Sequence, residues 1–141
     1  KNIYYQVNAT YYSALGESDS KMLLARAIQM FMPGKPQVWY LDLFAGKNDH
    51  EAVRRAGESG HKEINRTNLS ASDIREALKK DVVAKQLELL RMRNTHKAFE
   101  KGAVITVAGE GSKLSIRYDN DGAYALLTVD FEAGAYEIEL S

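Results

Sequence analysis

The sequence predicts an α/β part followed by an all-β part, and three observations carry the prediction. Lys21–Met32 is helical and almost wholly apolar: Met22, Leu23, Leu24, Ala25, Ala27, Ile28, Met30 and Phe31 leave only Arg26 and Gln29 polar inside it. Pro33-Gly34-Lys35-Pro36 stops that helix, because proline has no N–H to give and glycine accepts the backbone of a helix end. Val38-Trp39-Tyr40-Leu41 then runs without alternation, the pattern of a short strand buried on both faces, with Asp42 at its C-terminal end. Helix, tight turn and buried strand make half of a βαβ unit. From Gly102 onward the period is two, which belongs to antiparallel strands with one face on a core.

Taken in order, Ile3–Asn8 reads as strand or extended loop, and Tyr11 and Tyr12 continue its aromatic cluster. Gly16-Glu17-Ser18-Asp19 supplies a turn and a cap for the apolar helix. A helix this apolar needs cover on more than one side, which a missing neighbour is expected to provide. Gly46–Ser70 reads as a long polar loop with a helical turn near Glu51–Arg55; loops of that length are functional or mobile. Ser70 or Ser72 caps a short helix, Asp73–Lys80. A better helix runs from Val82 to about Asn94, with Val83, Leu87 and Leu90 expected on its buried face. Strands are expected at Val104–Val107, around Leu114-Ile116-Tyr118, around Ala125-Leu127-Val129-Phe131 and around Tyr136-Ile138-Leu140. Asp119-Asn120-Asp121-Gly122 and Ala133-Gly134 turn the chain between them, giving a four-stranded sheet.

At 141 residues, 45% of them hydrophobic, the chain holds one ordinary domain or a small domain plus part of another. Lys+Arg and Asp+Glu are 19 each, so no net charge points to nucleic acid or an anionic membrane. Absence of cysteine excludes disulfides and thiolate metal sites. No apolar run reaches the roughly 18–20 residues of a membrane span, and no signal-peptide pattern opens the chain, so a cytoplasmic location is expected. His50, His61 and His96 are far apart and lack the i, i+4 spacing of a helical ligand pair, so no metal is expected.

Pro33, Gly34, Pro36, Gln37, Val38 and Tyr40, followed by Ala45, Gly46, Asn48 and Asp49, resemble the last barrel strand of the sucrose phosphorylases, glucoside phosphorylases of the α-amylase clan. The resemblance runs through nearly the whole chain and is weakest in the last third. It implies the C-terminal end of a (β/α)8 barrel over residues 1–101 and a small antiparallel β domain over residues 102–141. The opening at a lysine, in mid-motif, fits a C-terminal piece of a larger enzyme.

The resemblance also implies roles. Tyr4-Tyr5-Gln6-Val7-Asn8 is similar to the family's mobile loop beside the acceptor subsite, where the tyrosine before the glutamine is associated with phosphate and the glutamine borders the acceptor sugar; Tyr5 and Gln6 match, with Tyr4 beside them. The family's aspartate contact to the fructosyl part is Ile3 here, which accepts no hydrogen bond. A strand with an aromatic face is the other reading of this stretch. Gly60-His61-Lys62-Glu63-Ile64-Asn65-Arg66 is similar to "Gly-Arg-x-Ile-Asn-Arg", whose first arginine helps hold the glucosyl group. Lys62 takes that place, keeping the charge without the planar fork; Arg66 matches the second arginine, and both also read as surface cations. Asp42, at a position usually glycine in the family, sits where barrel enzymes place catalytic groups; a solvated or ion-paired loop role is expected instead. Asp49 is expected to organise its loop through side-chain-to-backbone bonds.

Glycoside chemistry needs two carboxylates flanking the scissile bond, and in the family both lie on earlier barrel strands. No catalytic residue is therefore assigned within this chain, and the chain alone is expected to be inactive. Its parent is expected to be a retaining glucoside phosphorylase that transfers a glucosyl group to inorganic phosphate, giving α-glucose 1-phosphate. The changes at Ile3, Asp42, Lys62 and Thr67 extend the candidates to phosphorylases acting on sucrose 6′-phosphate, glucosylglycerol or glucosylglycerate. The resemblance implies no cofactor; the partners are a glucoside, inorganic phosphate, and either the missing barrel or a second copy. The alternative is a self-contained, non-catalytic α+β module that binds sugar or a partner protein.

Overall fold

The structure, a computed structural model, describes residues 7–141. The chain divides into two compact units, each described by itself: Lys1–Asp19 with Val38–Ala84, and Ser20–Gln37 with Lys85–Ser141.

The first unit is helical. Its described elements are α1 (Tyr11–Ala14), α3 (Tyr40–Leu43), α4 (His50–Ala56), a 3₁₀ helix (Gly57–Asn65) and α5 (Ala71–Ala77), between which the chain enters α2 (Asp19–Phe31) and after which it enters α6 (Asp81–Thr95). The barrel strand expected at Val38–Leu41 is not formed. A strand needs a neighbour to take its backbone hydrogen bonds, and the first unit offers none among the described residues. The backbone serves itself instead: Leu43 N–H reaches the Trp39 carbonyl at 3.0 Å and Phe44 N–H reaches the Tyr40 carbonyl at 3.3 Å, closing one helical turn. The polar loop expected at Gly46–Ser70 is largely ordered, as α4 and the 3₁₀ helix. Gly60 permits their close packing, since a Cβ there would lie 2.5 Å from Ala56 Cβ and 2.9 Å from the Val53 carbonyl oxygen.

Ser70 caps α5 in a reciprocal box: its hydroxyl accepts from Asp73 N–H at 3.1 Å, and Asp73 accepts from Ser70 N–H at 2.8 Å. The Ser70 hydroxyl, and after it the Ser70 amide, hold the Asp73 carboxyl below the usual carboxylate range. A lowered folded value means the cap contributes above the ordinary carboxylate pKa and is lost as pH falls through the lowered one. Ser70→Ala is expected to move the Asp73 titration upward, part of the way to its ordinary value, because the amide bond remains; a carboxyl NMR titration reads it.

The second unit carries the sheet. β1 (Val104–Glu110), β2 (Lys113–Asn120), β3 (Ala123–Asp130) and β4 (Ala135–Leu140) form an antiparallel meander in that order, as the period-two pattern predicts. Ile116 opposes Leu127, Leu127 opposes Ile138, and Tyr118 opposes Ala125, so these residues share the core face. Asn120 pairs with Ala123, leaving Asp121 (φ 47°) and Gly122 (φ 81°) as a tight hairpin turn of the kind that needs positive φ at both positions. Phe131, expected on the third strand, lies beyond its end and is exposed, because Asp130 turns the chain by accepting from Glu132 and Ala133 N–H, both at 3.0 Å.

Within this unit α2 buries Met22, Leu23, Arg26, Ala27, Met30 and Phe31 along one face. That cover comes from the chain itself, so this face needs no outside neighbour. The part of α6 in this unit buries Gln86 and Leu89, whereas Leu87, expected inside, is exposed; Val82 and Val83 are buried in the first unit's part of the helix. The reason is polar: Gln86 Oε1 accepts from the Nε of buried Arg26 at 2.9 Å, and that bond turns the helix. Phe31 packs edge-on to Phe99 (5.2 Å) and Tyr118 (6.1 Å), and the Tyr118 hydroxyl donates to the Phe31 carbonyl at 3.1 Å, satisfying an end of α2. His96 stands just past α6, where its Nδ1 accepts from Ala98 N–H at 3.3 Å and caps the 3₁₀ turn Lys97–Phe99.

Candidate functional site

The sequence-predicted site residues that the structure describes all lie in the first unit. Tyr4, Tyr5 and Gln6 fall outside the described residues. Lys62 and Arg66 sit four positions apart at the end of the 3₁₀ helix Gly57–Asn65. Lys62 is half-buried; Arg66 is exposed, 3.5 Å from Glu63 Oε1. An exposed pair of this kind is worth little, so the Arg66 guanidinium can exchange Glu63 for another partner.

Several bonds hold this segment from behind. Trp39 Nε1–H donates to the Asn65 carbonyl at 3.2 Å, the Tyr40 hydroxyl donates to the Thr67 carbonyl at 2.6 Å, and Asp49 N–H donates to the Ile64 carbonyl at 2.8 Å. The aromatic pair read as strand core therefore acts as a backrest for Asn65–Thr67. Asp49 organises its loop as expected, its carboxylate accepting from Ala52 N–H at 2.8 Å to cap α4.

Asp42 does not stand free at a strand end. It lies in the first turn of α3 and accepts from Tyr11 N–H at 2.6 Å. After α3, Ala45 N–H reaches the Asp42 carbonyl at 3.1 Å and Gly46 N–H reaches the Leu41 carbonyl at 2.8 Å, with Ala45 at φ 51°. This is the paired closure of a helix C-terminus with a left-handed residue. A Cβ on Gly46 would sit 2.4 Å from Leu41 Cδ1, so only glycine closes this turn and delivers Asn48 to its place.

Asn48 Oδ1 accepts from Thr10 N–H at 2.7 Å, Asn48 N–H donates to Ser13 Oγ at 3.0 Å, and Asn65 Nδ2 donates to the Ala9 carbonyl at 3.1 Å. Ala9 follows Gln6 by three positions and Asn65 precedes Arg66. Ala9–Tyr11 is thus tied to the Asn48 and Asn65 segments. Sequence reasoning quoted Asn48 and Asn65 within motifs but gave neither this role; their recurrence beside the assigned residues was the only signal.

Chemically, Lys62 and Arg66 offer two cations on a braced segment, suited to a phosphate or to sugar hydroxyls. No three potential metal ligands gather among the described residues, and no helix there is long and apolar enough to cross a membrane. A shallow groove of about 670 Å³, lined by residues including Leu23, Leu89, Tyr136 and Ile138, belongs to the second unit and contains none of the predicted site residues.

No protein-family model matches the chain. It is 55% identical over 135 residues to a sucrose 6(F)-phosphate phosphorylase of Ilumatobacter coccineus, covering 96% of this chain and 26% of that protein. It is 40% identical over 137 residues to a sucrose phosphorylase of Agrobacterium vitis, covering 97% of this chain and 28% of that one. The crystal structure of sucrose 6F-phosphate phosphorylase from Thermoanaerobacter thermosaccharolyticum superposes with a TM-score of 0.88 at 40% identity, over 96% of this chain and 27% of that chain. The chain spans about a quarter of the length of the curated relatives it matches.

Proposed function

Because this chain belongs to the sucrose phosphorylase family, whose C-terminal part it matches, we propose that the protein carrying it is a retaining glucoside phosphorylase whose donor is sucrose 6F-phosphate. The observation that carries the choice of donor is the 55% identity to a sucrose 6(F)-phosphate phosphorylase, against 40% to a sucrose phosphorylase.

One departure supports it physically. An aspartate at position 3 would repel a phosphorylated fructosyl group, and Ile3 removes that repulsion. Lys62 keeps the charge where the family's arginine helps hold the glucosyl group, which both donors share. Under this reading an upstream carboxylate attacks the anomeric carbon while a carboxylic acid protonates the departing fructosyl oxygen. Inorganic phosphate then attacks the glucosyl–enzyme bond, giving up its proton to the same residue, and leaves as α-glucose 1-phosphate. Tyr4, Tyr5 and Gln6 would border phosphate and acceptor, and Lys62 and Arg66 would complete the cationic side. The catalytic carboxylates would come from outside this chain, and residues 1–101 and 102–141 would be the barrel end and the β domain.

The test is phosphorolysis by the full-length protein, reading glucose 1-phosphate from sucrose, sucrose 6F-phosphate, glucosylglycerol and glucosylglycerate in parallel. Sucrose 6F-phosphate is expected to be preferred. Lys62→Met is expected to raise the KM for both donors by about 10–100-fold, the worth of one charge-assisted hydrogen bond, because they share the glucosyl group. A preference for sucrose over sucrose 6F-phosphate would refute the assignment of the donor.

A further inference from the structure

The sheet of the second unit has two open edges among the described residues, β1 and β4, each with a row of backbone groups that no fifth strand takes up. The two edges are built differently. β4 carries Glu137 and Glu139, charges of the kind that keep an edge from pairing with another chain. β1 reads Val-Ile-Thr-Val-Ala-Gly-Glu, with one charge, at its last position, and neither lysine nor proline; all seven of its residues are exposed. Ile105 opposes Tyr118 and Val107 opposes Ile116, so both stand on the core face of the sheet. Phe31 and Phe99 cover that face at Tyr118 on β2. Val107, one strand further out, is 60% exposed, and Val104 on the opposite face is exposed as well.

We propose that β1 is a dimerisation edge, at which two copies of the protein join β1 to β1, antiparallel, into one continuous sheet. The inference stands apart from the phosphorylase reading above. An open strand edge is completed by another strand, which meets each unpaired N–H and C=O at the ordinary spacing. Charge selects β1 as the strand that a second copy offers. Two-fold pairing of β4 about Ile138 would set Glu137 of each copy opposite Glu139 of the other, and like charges directly opposed repel. Pairing β1 with β4 would leave one of each open at the ends, so it would grow into a filament instead of closing. Two-fold pairing of β1 about Val107 uses the whole strand. Val107 then meets Val107, Ile105 opposes Gly109, Thr106 opposes Ala108 and Val104 opposes Glu110, so no like charges meet. The axis runs normal to the sheet, which keeps Ile105 and Val107 of both copies on one face and continues the two cores as a single apolar strip. A strand edge falls below the roughly 1,200 Å² of a standard interface, so the dimer is expected to be reversible.

The experiment uses the full-length protein, with sedimentation read over roughly a hundredfold range of concentration. The wild-type protein is expected to pass from monomer to dimer as concentration rises. Val107→Asp sets two carboxylates face to face across the axis and is expected to weaken association by about tenfold or more. Its circular dichroism is expected to match the wild type, since the side chain it replaces is exposed. Cross-linking supplies a second reading that does not depend on that variant. Directly opposed residues of antiparallel strands have Cα atoms about 4.5 or 5.5 Å apart, within the span of a disulfide. On mild oxidation Val107→Cys is expected to give about fivefold more covalent dimer than Phe131→Cys, an exposed position off the strand, each read above the wild-type background. A protein that stays monomeric at every concentration, with no excess cross-linking at position 107, overturns the proposal: another part of the same protein then covers β1. A dimer that Val107→Asp leaves intact and position 107 does not cross-link overturns it too, because that dimer is made elsewhere. Growth beyond a dimer overturns it in favour of β1 joining β4.

Discussion

Phe31→Ala is expected to destabilise the second unit by about 3–5 kcal/mol, the cost of deleting a large aromatic side chain from a core. Phe31 has no exposed surface. Its ring meets Phe99 at 5.2 Å and 84° and Tyr118 at 6.1 Å and 75°, both edge-on, and Phe99 and Tyr118 lie 4.9 Å apart. The Arg93 guanidinium covers this group from 4.5 Å above Phe99 and 5.1 Å from Tyr118, and one of its nitrogens is fixed on the Gly34 carbonyl at 2.9 Å. Removing the central ring leaves a hole lined by rings that are tethered elsewhere and so collapse poorly. Urea unfolding should show a lower midpoint at an unchanged slope, and Phe31→Leu should recover most of the loss. A loss below about 1 kcal/mol would mean the three rings are not the core.

Gln86→Leu is expected to cost about 2–3 kcal/mol, although it puts an apolar residue into an apolar place. Arg26 is 2% exposed and Gln86 is fully buried. Gln86 Oε1 takes the Arg26 Nε–H at 2.9 Å, and Gln29 takes another of its nitrogens. Leucine at position 86 leaves a buried cation short of an acceptor, and a stranded charge costs more than the bond itself contributes. The double variant Arg26→Met with Gln86→Leu should return to within about 1 kcal/mol of the parent, because the buried cation and its buried acceptor at position 86 go together. Chemical denaturation of the two singles and the double closes the cycle. Equal losses in the Gln86 single and the double would show that Arg26 finds another acceptor.

These two sites mark where the sequence is legible and where it is not. The meander was legible because each hairpin is local: alternation names the faces, and Asp121-Gly122 names a turn. Helix α6 was legible from its period, and α2 from its apolar run between a cap and the Pro33-Gly34 stop. The face of α6 was not, since hydrophobicity ranks Leu87 above Gln86 and cannot see that Arg26, 60 positions away, needs an oxygen. Val38–Leu41 failed for a related reason. A four-residue apolar run fits strand and helix alike, and only neighbours along both edges would decide for the strand. At the candidate site, Lys62 and Arg66 were named through a resemblance. The bonds of Asn48 and Asn65 to Thr10 and Ala9 were not foreseen, because their partners are backbone groups, which look the same in every residue.

The second unit is made from two stretches of chain, one ending at Gln37 and the other beginning at Lys85. That discontinuity gives the protein a period of vulnerability at birth. The Phe31 carbonyl and the Tyr118 hydroxyl that bonds it are 87 positions apart. At about 5–20 residues per second on the ribosome, α2 is completed roughly 4–17 s before that partner is made. Throughout that interval Phe31 lacks the Tyr118 ring that it meets in the finished fold. A cell that slows translation or lacks a chaperone able to hold a bare apolar helix would lose this protein to aggregation during synthesis, before the stability of the finished fold could protect it.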